Sequence, residues 1–124
     1  MTKSSSTNNL PLVTVLMPVY NAEEFVKTAI QSILEQTYKN FELLIMDDGS
    51  TDGSAAIILA TNDSRISYVK NDINLKLITT LNKGLKLAKG KYIARLDADD
   101  IAEKTRLQEQ VDFMEANPKV GLSG

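Results

Sequence analysis

The fold of this chain is decided by residues 12–48, LVTVLMPVYNAEEFVKTAIQSILEQTYKNFELLIMDD. The run LVTVLMP, residues 12–18, is almost wholly apolar and ends in proline, as is typical of a strand that is covered on both faces. Residues 41–46, FELLIM, predict a second strand of the same kind. Between the two runs, apolar residues recur at the spacing of one helical face: Val26, Ala29, Ile30, Ile33 and Leu34. A helix that connects two buried strands predicts that the strands are parallel.

The starts of the first two helices are assigned from capping residues. Asn21 is a good N-cap for the first helix, and Glu24 completes a capping box three residues later. The turn that follows the second strand offers Ser50, Thr51 and Asp52 as N-caps before the helical run AAIILA.

The remainder of the chain repeats the same alternation. Residues 66–70, ISYVK, and residues 91–97, KYIARLD, predict two further strands. A helix is predicted at residues 77–90, with Gly90 as its C-terminal stop. A last helix, at residues 103–117 and ending before Pro118, has one apolar face formed by Leu107, Val111 and Met114. These repeats predict an α/β fold, a mostly parallel sheet with helices on both faces.

Composition restricts both the domain count and the chemistry. The 124 residues suffice for one domain, placed at residues 12–124, after a polar stretch at residues 1–11 that we expect to be a disordered arm. A net charge of −2 gives no basic surface for nucleic acid. With no cysteine and no histidine, any metal must be a hard cation bound by oxygen. No apolar run approaches the roughly 18 residues of a membrane span.

Polar residues cluster where the predicted strands end, which is the edge at which open parallel sheets bind ligands. Tyr20 follows the first strand, Asp48 closes the second, and a D-x-D, Asp97 and Asp99, closes the fourth. Each has a structural alternative: Tyr20 could cover the sheet edge, DDGSTD could form a turn and helix cap, and D-x-D could be a solvated loop. No G-x-G-x-x-G or P-loop motif occurs, so a phosphate ligand would need other charge neutralisation, such as a divalent ion.

Two segments together resemble the inverting family 2 glycosyltransferases, which have the GT-A fold: PVYNAEEFVKTAIQSILEQTYKNFELLIMDDGSTD and NKGLKLAKGKYIARLDADD. The P-x-Y-N, D-D-G-S-T-D, N-x-G and D-x-D motifs occur in the order and spacing of that family. The resemblance implies a Rossmann-like nucleotide-diphospho-sugar transferase fold, truncated at its C-terminus. It also implies inverting, metal-assisted transfer from a nucleotide-diphosphate sugar, by expectation a UDP-sugar, to a hydroxyl of an unknown glycan or lipid-linked acceptor.

The same resemblance implies roles for individual residues. The nucleotide is expected to be bound by Pro18, Val19, Tyr20, Asn21, Asp48 and Asp97. Of these, Asp48 would pair with the base and Asp97 would lie near the ribose and diphosphate, while Asp99 would ligate Mn²⁺ or Mg²⁺. Asp100 is instead assigned to capping the last helix or to pairing with Arg106.

The chain departs from the family pattern at one phosphate contact. Many relatives have an arginine directly before the Asn of N-x-G, where this chain has Leu81. Lys76 or Lys83 is the expected substitute.

The family's catalytic base lies well downstream of the D-x-D. We therefore interpret the chain as the nucleotide-binding portion of a longer enzyme of cell-surface polysaccharide biosynthesis, and expect it to bind donor without transferring sugar. The catalytic base is unassigned. We expect a cytoplasmic location, at the inner face of the membrane for a full-length protein. Val120 and Leu122 on an unpaired strand edge would favour a homo-oligomer.

Two other classes are considered. A non-catalytic nucleotide-binding module, or an inactive fragment of a longer enzyme, would have the same motifs. A phosphoryl-transfer domain of receiver type also clusters acids at strand ends, but it has its acidic pair after the first strand rather than the second. That class is therefore set aside.

Overall fold

The computed structural model describes residues 10–117 and 122–123. Within them, five strands alternate with four helices along the chain. The strands are β1 (Val13–Val19), β2 (Phe41–Asp47), β3 (Ile66–Lys70), β4 (Tyr92–Arg95) and β5 (Leu122–Ser123). The helices are α1 (Val26–Leu34), α2 (Ser54–Ala60), α3 (Leu77–Leu87) and α4 (Arg106–Ala116).

The strands form one parallel sheet in the order β3-β2-β1-β4-β5. Side chains of α1, α2 and α4 pack in the core on one face, and Leu81 of α3 packs on the other. The predicted parallel sheet with helices on both faces is therefore confirmed. The chain runs outward from β1 to β3 and then returns to β4 on the other side of β1. This reversal makes the carboxyl ends of β1 and β4 the expected ligand crevice.

The core is built on β1, the central strand. Val13, Val15, Met17 and Val19 are at most 1% exposed and point to the face covered by three helices. Leu16 points to the opposite face, beside Leu44, Met46 and Leu81. Each such buried side chain contributes about 1.5–3 kcal/mol relative to an exposed one, so the apolar runs in the sequence hold the sheet together.

Pro18 lies within β1, whereas the sequence analysis made it the end of the strand. The ladder with β2 continues through Pro18–Met46 to Val19–Asp47. Pro18 has the same parity as Leu16, whose carbonyl accepts from Leu96 on the β4 side. Pairing of β1 with β4 ends at Leu16–Arg95, so the N–H that proline lacks is on a side where the ladder has already ended.

The first helix begins later than its assigned cap. Helix α1 starts at Val26, its N-cap position is Phe25, and no side chain caps it. Asn21 has a left-handed backbone with φ of 49° and is therefore not the predicted N-cap. The predicted capping box with Glu24 is wrong because Asn21 instead bonds the loop after β2, a partner distant in sequence.

Gly90 is not a helix stop either. Helix α3 ends at Leu87, and Gly90 lies against β1, where its N–H donates to Thr14 Oγ1 at 2.8 Å. A Cβ built on Gly90 would be 2.4 Å from the Thr14 nitrogen, closer than any real contact. Glycine is required there because the backbone of β1 passes so near.

Replacing Gly90 by alanine is expected to lower the free energy of unfolding by about 1–3 kcal/mol, the usual cost of forcing an extra methyl into a packed site. Urea denaturation measures the change. Gly84→Ala is the matched control: its Cβ would meet the movable Leu16 Cδ1 at 2.5 Å, and alanine favours helix by about 1 kcal/mol. A loss at Gly90 no larger than the loss at Gly84 would contradict this explanation.

The ends of the chain are described only in part. Most of the predicted arm, residues 1–11, and Val120 lie outside the described residues, so the arm stays a prediction. Leu10 is described, and its carbonyl accepts from Asn40 Nδ2 at 2.8 Å. Strand β5 forms one edge of the sheet. No helix in the described part of the chain is long and apolar enough to cross a membrane.

Candidate nucleotide and metal site

A cavity of about 310 Å³ opens at the carboxyl edge of the sheet, between the ends of β1, β2 and β4. It is lined by Pro18, Val19, Tyr20, Asp48, Asn74, Lys76, Leu77, Thr80, Arg95 and Asp97. Five of the six predicted nucleotide-binding residues therefore share one cavity. Asn21 does not line it, but it borders a neighbouring cavity of about 270 Å³ together with Tyr20 and Asp99.

Tyr20 stands between these two cavities and is 51% exposed. It follows the central strand at the carboxyl edge of the sheet, where both alternatives from the sequence place it. A half-exposed ring on a cavity wall is available for stacking against a planar ligand group.

The loop after β1 is held by the loop after β2 through reciprocal hydrogen bonds. The N–H groups of Asn21 and Ala22 donate to Ser50 Oγ and Ser54 Oγ, both at 2.9 Å. In the other direction, the Thr51 N–H donates to Asn21 Oδ1 at 2.8 Å. The polar residues of DDGSTD thus fix the backbone that carries Tyr20.

Asp52 and Glu23 complete the same pairing. The Glu23 N–H donates to Asp52 Oδ2 at 3.2 Å, and the Gly53 N–H donates to Glu23 Oε1 at 2.6 Å. The N-cap position of α2 is Gly53, so none of the three capping candidates occupies it. Asp52 still satisfies the Ser54 N–H through Oδ1 at 2.9 Å, close to the role assigned to it.

The two adjacent aspartates after β2 have different environments. Asp47 is fully buried, and its carboxylate accepts from the Ser50 N–H at 2.9 Å and from the Tyr68 hydroxyl at 2.5 Å. Burial and the nearby Asp47 charge both raise the pKa of Tyr68, so Tyr68 stays a hydrogen-bond donor. Asp47 therefore supports the turn, and Asp48 is the carboxylate that faces the cavity.

Asp48 is held by a network from the loop after β3. Asn71 Nδ2 donates to Asp48 Oδ1 at 2.9 Å, and the Leu75 N–H donates to the same oxygen at 2.7 Å. Burial acts to raise the pKa of Asp48, but hydrogen bonding from Asn71 and the Leu75 N–H, with further contributions from the Thr80 side chain and the Lys76 backbone, outweighs it and holds the pKa below its ordinary value. Asp48 is therefore an ionised acceptor at neutral pH, with Oδ2 outside these two bonds.

The two lysines suggested as phosphate contacts are separated by the structure. Lys76 lines the cavity of about 310 Å³ and has a strained backbone with φ of 74°. Lys83 instead donates from Nζ to Asn71 Oδ1 at 2.7 Å, so it supports the network that positions Asp48.

Three carboxylates meet after β4. Asp97, Asp99 and Asp100 each place one oxygen within 4.8 Å of the others. The Asp100 N–H donates to the Asp97 carbonyl at 3.0 Å, and this turn brings the side chains together. Oxygen ligands on exposed carboxylates suit Mn²⁺ or Mg²⁺, so the residues present fit such an ion.

Asp100 has neither of the roles assigned to it from the sequence. The N-cap position of α4 is Thr105. In the described part of the chain, Asp100 makes no ion pair with Arg106, whose Nη2 donates to the Arg95 carbonyl at 3.1 Å. The turn at Asp97 instead brings the Asp100 carboxylate close to those of Asp97 and Asp99.

Arg95 is a cavity residue that the sequence analysis missed. It lines the cavity of about 310 Å³ and also a third cavity, of about 470 Å³, together with Asp97, Asp100 and Arg106. Its Nε–H donates to Asp97 Oδ1 at 3.0 Å. The signal was present in YIARLD, because alternation along a strand places Arg95 on the same face as Ile93.

Fold and site together define a class of protein: a parallel α/β domain with a ligand-sized cavity at the switch point of the sheet. This cavity adjoins a cluster of three carboxylates that suits a divalent ion. The model of the glycosyl transferase family 2 matches residues 14–124. The chain belongs to this family, as the sequence motifs predicted.

Curated relatives agree with this assignment. The chain is 44% identical over 111 residues to the putative glycosyltransferase EpsE of Bacillus subtilis, covering 87% of this chain and 40% of that protein. It is 42% identical over 106 residues to the UDP-Glc:alpha-D-GlcNAc-diphosphoundecaprenol beta-1,3-glucosyltransferase WfaP of Escherichia coli, covering 86% and 42% respectively. The chain thus spans less than half the length of these relatives.

Solved structures share the fold. S. aureus TarS 1-349 in complex with UDP-GlcNAc superposes with a TM-score of 0.78 at 26% identity, covering 84% of this chain and 31% of that one. The mannosyltransferase PcManGT from Pyrobaculum calidifontis, in complex with GDP-Man and Mn²⁺, gives a TM-score of 0.78 at 26% identity, covering 84% and 32%. The predicted GT-A fold is confirmed.

Proposed function

We propose that this chain binds the nucleotide and diphosphate of a UDP-sugar, and that its protein transfers the sugar with inversion to an acceptor hydroxyl. The observation that carries the proposal is the position of Asp97. It lines the cavity of about 310 Å³ together with Asp48. It also belongs to the cluster of three carboxylates that contains Asp99. A ligand with a base at one end and a diphosphate at the other would reach from Asp48 to that group.

Each residue has a role in this proposal. Tyr20 stacks on the base against the wall formed by Pro18 and Val19, and Asp48 Oδ2 accepts a hydrogen bond from the base. Asp97 lies beside the ribose and diphosphate, and Asp99 holds Mn²⁺ or Mg²⁺. Asn21 supports the loop that carries Tyr20 and contacts the nucleotide from the cavity of about 270 Å³.

The chemistry of Asp48 favours uracil. An ionised carboxylate is an acceptor only, and uracil presents the N3–H donor to it. Cytosine and adenine present a ring nitrogen acceptor at the equivalent position, which repels a carboxylate. Guanine also offers donors, and the UDP-GlcNAc complex of TarS and the UDP-Glc in the name of WfaP support uridine, although PcManGT was solved with GDP-Man.

A bound divalent ion would neutralise charge on the diphosphate and stabilise it as a leaving group. The chain's own residues orient the donor. The acceptor is a glycan or lipid-linked saccharide, and the transfer takes place at the cytoplasmic face of the membrane in cell-surface polysaccharide synthesis, in line with the names of WfaP and of the putative teichuronic acid biosynthesis glycosyltransferase TuaG of Bacillus subtilis.

Calorimetric titration with UDP, GDP, CDP and ADP tests the proposal. We expect UDP to bind at least about tenfold more tightly than CDP or ADP, a difference of about 1.4 kcal/mol. Mn²⁺ or Mg²⁺ should tighten UDP binding relative to EDTA. Equal affinities for all four nucleotides, or no binding, would contradict the proposed function. An assay for transfer of labelled sugar to an acceptor by a full-length protein distinguishes an enzyme from a non-catalytic module.

A further inference from the structure

The proposed ligand would bring negative charge close to a cluster of carboxylates. A diphosphate reaching from the cavity of Asp48 to the group of Asp97, Asp99 and Asp100 would lie among carboxylates. A bound divalent ion would offset part of this repulsion, and a cationic side chain beside the phosphates would offset more of it.

Four cationic side chains of the described chain lie near this region, and their contacts distinguish them. Lys83 is bonded to Asn71 and lines none of the three cavities described above. Lys76 lines only the cavity of about 310 Å³, and Arg106 lines only the cavity of about 470 Å³. Arg95 lines both. It therefore stands where the nucleoside end of the site meets the carboxylate end.

The backbone of Arg95 is fixed on both sides. It is the last residue of β4, pairs with Leu16 of the central strand, and its carbonyl accepts from Arg106 Nη2. On β4, Ile93 and Arg95 share the face on which Leu81 packs. The guanidinium thus belongs to the side of the sheet on which Leu81 and its helix α3 pack.

The guanidinium is also partly uncommitted. Within the described residues, its hydrogen bond from Nε to Asp97 is the one it makes, and its side chain is 39% exposed. The terminal nitrogens remain as donors. Such a planar fork, oriented by a carboxylate at Nε, suits two phosphate oxygens better than the single ammonium of a lysine.

We propose that Arg95 is the diphosphate-binding cation of this chain, held toward the phosphates by Asp97. The inference rests on the proposed function, because it assumes that a nucleoside diphosphate occupies the two cavities that Arg95 lines. It assigns the role to neither Lys76 nor Lys83.

The test compares uridine with UDP, because uridine lacks the diphosphate but fills the same base pocket. In the protein with Arg95→Gln, we expect UDP affinity to fall by about tenfold or more while uridine affinity is unchanged, since a charge-assisted bidentate contact is lost. Arg95→Lys should recover part of the loss. Ligand-observed NMR follows uridine and calorimetry follows UDP, both with EDTA so that no metal contributes.

Arg65→Gln is the matched control. Arg65 also pairs with an aspartate two residues away, with Nε 3.1 Å from Asp63 Oδ1, but it lies at β3 outside the cavities. Its removal should leave the ratio of UDP to uridine affinity unchanged. Lys76→Met should change that ratio less than Arg95→Gln does.

The outcomes separate the two proposals. If the unaltered chain binds neither uridine nor UDP, the proposed function fails. If it binds UDP and Arg95→Gln keeps the same ratio of UDP to uridine affinity, Arg95 does not contact the diphosphate and the inference is overturned. An equal loss of uridine and UDP binding would also overturn it, because Arg95 would then support only the shape of the pocket.

Discussion

Replacing Asp99 by alanine is expected to abolish the tightening of UDP binding by Mn²⁺. In the unaltered chain the ion should improve UDP affinity by at least about tenfold, because a divalent cation offsets the charge of the diphosphate among three carboxylates. Without the Asp99 carboxylate, affinities in Mn²⁺ and in EDTA should converge. Calorimetry measures both, and electron paramagnetic resonance of Mn²⁺ reports ion binding directly.

Asp112→Ala is the control for this change, because Asp112 is an exposed residue on α4 that lies outside the cluster of three carboxylates. It should keep the full Mn²⁺ effect. Uridine binding should be the same in both variants, since uridine has no phosphate to bridge to the ion. If Asp99→Ala retained the Mn²⁺ effect, the ion would be bound elsewhere and the turn after β4 would be only a solvated loop.

Asp48→Asn is expected to weaken UDP binding by about 10- to 150-fold, the equivalent of losing a hydrogen bond to a charged group worth about 1.5–3 kcal/mol. The change is selective because Asn71 and the Leu75 N–H both donate to Oδ1. Two donors there require the substituted side chain to place its amide oxygen at that position, so its NH₂ group replaces Oδ2. The network should survive, and the melting temperature should change little.

The specificity of the same variant is the sharper measurement. An amide NH₂ at the Oδ2 position opposes the N3–H of uracil but can donate to N3 of cytosine. The ratio of UDP to CDP affinity should therefore fall in the Asp48→Asn protein. Equal weakening for the two nucleotides would mean that Asp48 acts only through the loop at Leu75, and would remove it from the base pocket.

The sequence predicted the sheet because the responsible signals are local. Apolar runs such as 41–46 are long enough to require burial, and the helical spacing from Val26 to Leu34 has no competing strand pattern. The errors at Gly90 and Asn21 concern residues whose partners are distant in sequence. Gly90 is set by Thr14 and Asn21 by Thr51, contacts that no local pattern contains.

The site was predictable to a different extent. Motif order brought Tyr20, Asp48 and Asp97 to the same edge, and the structure places them in one cavity. The cations could not be ranked from sequence, because Lys76, Lys83 and Arg95 differ in which cavity they line and in which hydrogen-bond partner they reach. That information exists only once α3 is packed against β1 and β2.

The paired loops after β1 and β2 also bear on how such proteins can be re-engineered. Because Asn21, Ala22 and Glu23 exchange hydrogen bonds with the segment from Ser50 to Ser54, neither loop has its native shape without the other. A chimera that imports only one loop from a relative with another donor would break the exchange, whereas grafting both together would preserve it. The two loops are therefore one module for recombination, although a helix and a strand separate them along the chain.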